Sequence, residues 1–207
     1  MDRKHVLEAI KQLRTNEKRK FSQSVDLIIN LRSFDVKREN LNLFLNMPHK
    51  IREAKLAAFF EKKSNFIDTI TKTEFDAYKD KKRIKALIKG YDFFISVPKL
   101  MPLVASNFGR FLGPVGKMPS PQLGIIKEES EGDIKEVIKK FEKIVRVKSK
   151  EPSLKFSIAR EDMKDEEIID NIEFAFNHIL NALPKKKENI KSVMVKFTMT
   201  KPVKIQY

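Results

Sequence analysis

The sequence predicts a mixed α/β protein in two parts. One is an α+β domain assembled from both ends of the chain, and the other is a smaller α/β unit inserted between them. Three observations predict this. Apolar–polar alternation of the β type recurs near both ends, each time beside an amphipathic helix. The middle instead alternates strands with helices, the pattern of an α/β unit. The style changes near Pro48–Glu53 and again near Phe141–Val145. The expected domains are therefore 1–53 with 144–207, and 54–143.

Each element follows from its own pattern. Val6, Leu7, Ile10 and Leu13 fall at helical spacing within residues 3–14, with Lys and Arg on the other face. Val25, Leu27, Ile29 and Leu31 alternate with Asp26, Ile28, Asn30 and Arg32, which predicts a strand. Leu41, Leu43, Leu45 and Met47 repeat the alternation, and Pro48 stops it because proline cannot donate to a ladder. The polar stretch DVKREN between these strands suits an antiparallel pair of the two. EAKLAAFF and NFIDTIT are short apolar runs in the middle. DKKRIKALIKG predicts a basic helix with Ile84, Leu87 and Ile88 inward and Gly90 as its C-cap, followed by the strand DFFISV. KLMPLVASNFGRFLG reads as a helix with Pro102 in its first turn. Ile134, Val137, Ile138 and Phe141 form the stripe of another helix. KIVRVKSKEPSLKFSIAR gives two strands around a polar turn, and KDEEIIDNIEFAFNHILNAL a long helix whose acidic first turn suits the helix dipole. IKSVMVKFTMTKPVKIQY closes with strands. Val195, Phe197 and Met199 are expected on one face there, and Lys196, Thr198 and Thr200 on the other.

The charge narrows the function. The 207 residues hold 43 Lys and Arg against 28 Asp and Glu, a net +15. Such an excess repels itself and makes sense beside a polyanion, nucleic acid first and an anionic membrane surface second. The excess is spread as +5, +6 and +4 over residues 1–53, 54–143 and 144–207. No single tail carries it, so a binding face has to be assembled by the fold. There is no Cys, which excludes disulfides and thiolate metal sites. His5, His49 and His178 lack metal-ligand spacing. No apolar run reaches the ~20 residues of a membrane helix, and the charged N-terminal segment is not a signal peptide. A cytoplasmic protein without cofactor or metal is expected.

The motifs point to recognition rather than catalysis. In FLGPVGKMPSP, Gly113 and Gly116 are too close for a Walker loop, Met118 stands where a hydroxyl residue is needed, and Pro114 removes an amide donor. A packed loop of Gly and Pro residues is expected instead. Asp162 and Asp165 suit a solvated helix start better than a metal site, and no catalytic triad or nucleophile elbow is visible. A nucleic-acid-processing enzyme would need a magnesium-binding carboxylate cluster, and a membrane-surface protein a wide apolar helix face with exposed Trp or Phe. Neither signature is present. Basic and aromatic residues do come together in EKRKFSQS, where Lys18, Arg19 and Lys20 precede Phe21. Cations there can meet phosphates, Phe21 can lie on a ribose or base, and Ser22, Gln23 and Ser24 can bond to 2′-hydroxyls. An ordinary loop with Phe21 in the core is the competing reading. Thr198 and Thr200 likewise suit an RNA minor groove, or simply a polar strand face.

These segments together resemble the ribosomal large-subunit stalk protein family numbered one. FLGPVGKMPSP resembles its L-G-P-x-G-x-x-P loop. RKFSQSVDLIINL, LNMPH, DFFISVPKLMPLV, KDEEIIDNIEFAFN and KSVMVKFTMTKP resemble further blocks in the same order, covering nearly the whole chain. The resemblance implies a first domain built from both termini and an inserted Rossmann-like three-layer domain. It implies a non-enzymatic, monomeric protein that binds large-subunit rRNA at a mobile stalk and helps deacylated tRNA leave the exit site. Some members also bind their own mRNA and repress its translation. Carried across, the RNA-binding residues are Lys20, Phe21, Ser24, Asp26, Ser192, Lys196, Thr198, Met199 and Thr200, with Lys117 as a secondary contact for RNA or tRNA. Thr200 stands where the family has Gly, Asp26 where Glu is usual, and Val115 where Arg or a similar residue is usual. The ending suits the archaeal or eukaryotic branch.

Overall fold

The structure is a computed structural model, and it describes residues 2–17, 19–36, 38–39, 41–78, 80–120, 123–126 and 129–206. Lys18 and Pro121, singled out in the sequence, lie outside the described residues. The chain divides into two compact units. One holds the chain up to Arg52 and from Lys143 onward, and the other holds Glu53–Glu142.

The first unit is built around one strand. Helix α1 (Arg3–Arg14) starts on Asp2, whose carboxylate accepts the Lys4 N–H, and buries Val6, Ala9, Ile10 and Leu13. β1 (Ser24–Leu31) buries every second residue from Val25 to Leu31. β2 (Asn42–Asn46) does not pair with β1, contrary to the expected antiparallel pair. β1 already has both edges occupied by strands from the far end of the chain. β7 (Ser153–Arg160) lies on one side and β8 (Ile190–Phe197) on the other, both antiparallel. The polar segment after β1 is anchored instead to Asn189, whose carboxamide donates to the Arg32 and Ser33 carbonyls. β2 finds its partner in β6 (Ile144–Lys148), with Leu45 opposite Val145. β9 (Val203–Ile205) completes a four-stranded sheet of order β7-β1-β8-β9. The long helix α5 (Asp165–Ala182) and α1 share one apolar core with the sheet's inner face. Arg3 bonds Asp170 and Glu173, and Arg14 bonds Asp165, so the two helices are also tied at their rims. Asn171 is fully buried. Its Oδ1 accepts the His49 N–H and its Nδ2 donates to the Ile158 carbonyl. That pair of bonds fixes the segment after Pro48 against α5 and β7.

The second unit has a parallel sheet of order β4-β3-β5, from β3 (Leu56–Phe60), β4 (Asp68–Thr71) and β5 (Phe93–Ser96). All of β3 is buried, as expected of a central parallel strand covered on both faces. On one face Phe59 packs on Phe94, Phe75 and Phe108, the last belonging to α3 (Met101–Val115), with centroids 5.0 Å apart. On the other face Phe93 meets Phe141 of α4 (Glu131–Phe141) at 4.8 Å. Helix α2 (Lys81–Gly90) packs beside α3. Helices therefore cover both faces, giving three layers and an α/β fold. Gly90 is the last residue of α2 and not its cap, since Tyr91 occupies that position in an extended conformation.

FLGPVGKMPSP is not the loop its composition suggests. Phe111–Val115 is the last turn of α3, and Pro114 sits inside that helix. The chain leaves it through Gly116, at φ 73°, with the Gly116 N–H bonded to the Gly113 carbonyl and the Lys117 N–H to that of Leu112. Only glycine adopts that left-handed geometry without strain. Gly124 has a second requirement. Its φ is 97°, and a Cβ there would lie 2.7 Å from the Phe94 carbonyl oxygen.

Two substitutions test this layout. Phe59→Ala empties the aromatic cluster and is expected to cost ~3–5 kcal/mol. Hydrogen exchange should show the loss in β3 and β5 while protection in β1 is unchanged. Asn171→Ala orphans the buried Ile158 carbonyl, at about 1–3 kcal/mol, and the half-buried His49 N–H at less, and its loss should appear in β7 and around His49. Uniform loss over both units in either variant would contradict two separate cores.

Candidate nucleic-acid interface

The face of the four-stranded sheet opposite α1 and α5 is open and polar. The alternation that buries Val25, Leu27 and Ile29 turns Ser24, Asp26, Ile28 and Asn30 outward. The ladder sets Asp26 beside Lys196 on one side and Ser157 on the other, Ile28 between Met194 and Lys155, and Asn30 between Ser192 and Ser153. Lys204 on β9 continues the row from Met194. The result is a platform of hydroxyls, amides and lysines, with Ile28 and Met194 among them, Asp26 within it and Glu151 paired with Lys155 at 3.4 Å.

One corner of this platform gathers most of the residues singled out in the sequence. The Ser24 N–H donates to Thr198 Oγ1 at 3.0 Å, and the two hydroxyl oxygens are 2.9 Å apart. Ser24 Oγ donates to Asp26 Oδ1 at 3.1 Å. The Thr198 N–H returns to the Ser24 carbonyl at 3.1 Å. The knot therefore orients Asp26 through Ser24, and leaves its other oxygen to accept from outside. Gln23 is buried, 2% exposed, and its Oε1 accepts the Met199 N–H at 3.0 Å. Its carboxamide thus holds the C-terminal turn against the N-terminal segment, so it is not a free group for 2′-hydroxyls. Lys20 is exposed, and Phe21 is 53% exposed, which settles the choice between core and surface in favour of the surface. Met199 is 60% exposed.

Met199 departs from the expected alternation. β8 ends at Phe197, and residues 198–200 turn, with the Thr200 N–H on the Phe197 carbonyl. The side chain of Thr200 helps make that turn, since its Oγ1 accepts the Phe197 N–H at 2.9 Å. Outside glycine, positive φ occurs among the described residues only at Ser33 and Lys186, so Thr200 keeps ordinary backbone geometry. The extra side chain where the resemblance has Gly is bonded back to Phe197, and Met199 in the same turn is turned outward.

Ser192 shares the platform but not the corner. It lies four residues from Lys196 along β8, roughly 13 Å, and its Oγ accepts from Asn30 Nδ2 at 3.0 Å. Ser153 Oγ donates to Asn30 Oδ1 at 2.9 Å, so Asn30 bridges three strands. Lys117 is in the other unit. Its Nζ donates to the Ile88 and Tyr91 carbonyls at 2.7 and 2.6 Å, closing the C-terminal end of α2. That ammonium serves the fold of its own unit.

Sequence reasoning missed Asn30, Ser153, Lys155, Ser157 and Lys204 as members of this face. The signal was available in SLKFSIAR, where Ser153, Lys155 and Ser157 alternate with Leu154, Phe156 and Ile158. A bulge follows, because Val25 faces Ala159 while Asp26 faces Ser157, and this leaves Ile158 and Ala159 both buried. No group of three or more acids or histidines that could hold a metal occurs among the described residues. No helix among them is long and apolar enough to cross a membrane.

Comparison with known proteins identifies the family. Residues 13–201 match the family described as Ribosomal protein L1p/L10e family. The large ribosomal subunit protein uL1 of Pyrobaculum calidifontis is 36% identical, over 94% of this chain and 89% of that one. The proteins of the same name from Thermococcus kodakarensis and Methanocaldococcus jannaschii are each 32% identical, over 99% and 100% of this chain and 98% and 97% of theirs. The chain belongs to the ribosomal protein L1 family.

Proposed function

We propose that this protein is a structural constituent of the large ribosomal subunit, in the cytoplasm, and that it binds large-subunit rRNA through the open sheet face of its first unit. The observation that carries this reading is the corner made by Ser24, Asp26 and Thr198, with Phe21 and Met199 exposed beside it and lysines around it. The mechanism is recognition, not catalysis. Lys20, Lys196, Lys155 and Lys204 supply attraction to phosphates, which sets affinity and its salt dependence. The free oxygen of Asp26 repels phosphate and accepts from a 2′-hydroxyl or a base amino group, which sets register. Phe21 and Met199 lie flat against a ribose or an unstacked base.

The family resemblance extends this to the mobile stalk beside the tRNA exit site, where the protein assists release of deacylated tRNA, and to repression of its own mRNA through the same face. In this reading the first unit binds RNA and the inserted unit is carried by it. Lys117 is left out of the primary surface, since its ammonium is committed to α2.

Phe21→Ala combined with Thr198→Ala is expected to weaken binding to the stalk rRNA fragment by about 2–4 kcal/mol, from one lost stacking contact and one broken knot. The far-ultraviolet circular dichroism and the melting profile should be unchanged. Unchanged affinity would remove this corner from the interface. Lys155→Ala and Lys204→Ala change no hydrogen bond within the corner. Each is expected to lower the slope of log affinity against log salt by about 1 for a duplex-like site. A slope equal to wild type in both would place the phosphates on another face.

A further inference from the structure

The inserted unit carries a cavity that the reading above does not use. Its sheet order is β4-β3-β5, so the chain leaves β3 toward one edge and returns, through β4 and α2, to the opposite edge. The carboxyl ends of β3 and β5 are therefore a topological switch point, where open α/β sheets hold their ligands. A cavity of about 700 Å³ opens there. Its floor is the chain just past β3, from Phe60 to Phe66, and just past β5, from Val97 to Lys99.

The backbone at the end of β3 already holds an anion. The N–H groups of Glu61 and Lys62 both donate to the carboxylate of Glu129, at 2.7 and 3.4 Å. Two successive amides turned toward one carboxylate form a nest suited equally to a phosphate. Lys62 and Lys99 line the same cavity and are exposed. Lys63 is excluded from the role because Glu74 takes its ammonium at 2.8 Å. Phe66, 44% exposed, forms a wall, and the Lys135 ammonium lies 4.4 Å from its ring centroid. The carboxylates of Glu61 and Glu131 also line the cavity and oppose a highly charged anion. They favour a ligand with one phosphate and an apolar or aromatic body over a polyphosphate.

We propose that this cavity binds a nucleoside monophosphate group, with its phosphate displacing the Glu129 carboxylate from the Glu61 and Lys62 amides, and its base on Phe66. Lys62 and Lys99 neutralise the phosphate. The group has two sources, a free mononucleotide or a nucleotide of a single-stranded RNA.

The test is an amide-resolved NMR titration of the full-length chain with AMP, with inorganic phosphate, and with a short oligoadenylate. AMP or oligoadenylate is expected to move the Glu61 and Lys62 amide signals saturably, together with Phe66 ring signals. Movement by AMP identifies the free nucleotide as sufficient, and movement by the oligonucleotide alone identifies the RNA strand. Glu129→Ala vacates the nest and is expected to tighten AMP or oligoadenylate binding by about tenfold, and Lys62→Ala with Lys99→Ala to weaken it by about tenfold, each near 1.4 kcal/mol. Phosphate alone moving the amides without Phe66 would overturn the base contact. No saturable shift of these amides in wild type with AMP or oligoadenylate overturns the proposal, whatever the variants do. Because the readout is confined to the inserted unit, its failure leaves the sheet-face reading untouched, and substitutions at Phe21 and Thr198 are not expected to alter these shifts.

Discussion

The first unit depends on β1 being a central strand with two different faces. Its inner residues, Val25, Leu27 and Ile29, are at 0% exposure and form the middle of the core shared with α1 and α5. Its two edges are filled by β7 and β8, which lie more than a hundred residues away in the chain. Neither terminal segment can bury its apolar face without the other, because a strand with one unpartnered edge and an uncovered face loses both ladder and core. A separate unit can be inserted between them because the chain returns through β6, paired with β2, before entering β7. The same closure creates the corner proposed to bind RNA. Ser24 comes from the beginning of β1 and Thr198 from just past the end of β8, and they bond only because those strands are neighbours. The site is thus a consequence of the pairing that holds the unit together.

Much of this was legible in single segments and little of it between them. The period of two in SVDLIINL and the apolar stripe of EAIKQLR state which side of each element is buried, since a wrong face would put Asp26 or Lys11 in the core. The pairing of β1 with its sequence neighbour β2 was the natural expectation, and it failed because loop-closure cost favours near partners only weakly. Occupied edges decided the outcome. The run FLGPVG reads as loop by composition, yet Leu112, at 0% exposure, continues the stripe of Val104 and Phe108 and draws the helix through to Val115. Tertiary burial outweighed local propensity there. Met199 failed in the opposite direction. Strand alternation predicted it inward with Val195 and Phe197, but a hydroxyl three residues beyond the strand end made a turn instead. Side-chain bonds of that kind are hard to foresee, because Thr is equally at home in a strand and in a turn.

Charge is sorted between the two sides of the first unit. Acids crowd the helix side, where Asp165, Asp170 and Glu173 of α5 meet Arg14 and Arg3 of α1. Those cations are consumed within the fold. The platform strands β1, β7, β8 and β9 contain basic residues at Lys155, Arg160, Lys191, Lys196 and Lys204, and one acid, Asp26. An even spread of charge along the sequence therefore becomes a polarised surface, because α5 takes up much of the acid on the face turned away from the platform. A polyanion approaching the platform side meets more unpaired lysines than carboxylates.

That polarity gives Asp26 its meaning. A carboxylate among lysines lowers the attraction to phosphate at one spot, and the surface would bind any polyanion more tightly without it. In the proposed interface, Asp26, held by Ser24 and facing Lys196 across the ladder, trades affinity for discrimination. A phosphate placed over Asp26 suffers repulsion, whereas a sugar hydroxyl there gains a charge-assisted bond. Shifting a nucleic acid by one position along the platform exchanges these two cases. Lysines alone fix no such register, since a point charge on a flexible stem follows the phosphates wherever they go. Asp is one methylene shorter than the Glu that the resemblance implies here, so in the proposed interface a hydroxyl has to come closer to the sheet. Met199, exposed beside the same corner, limits that approach in the proposed interface.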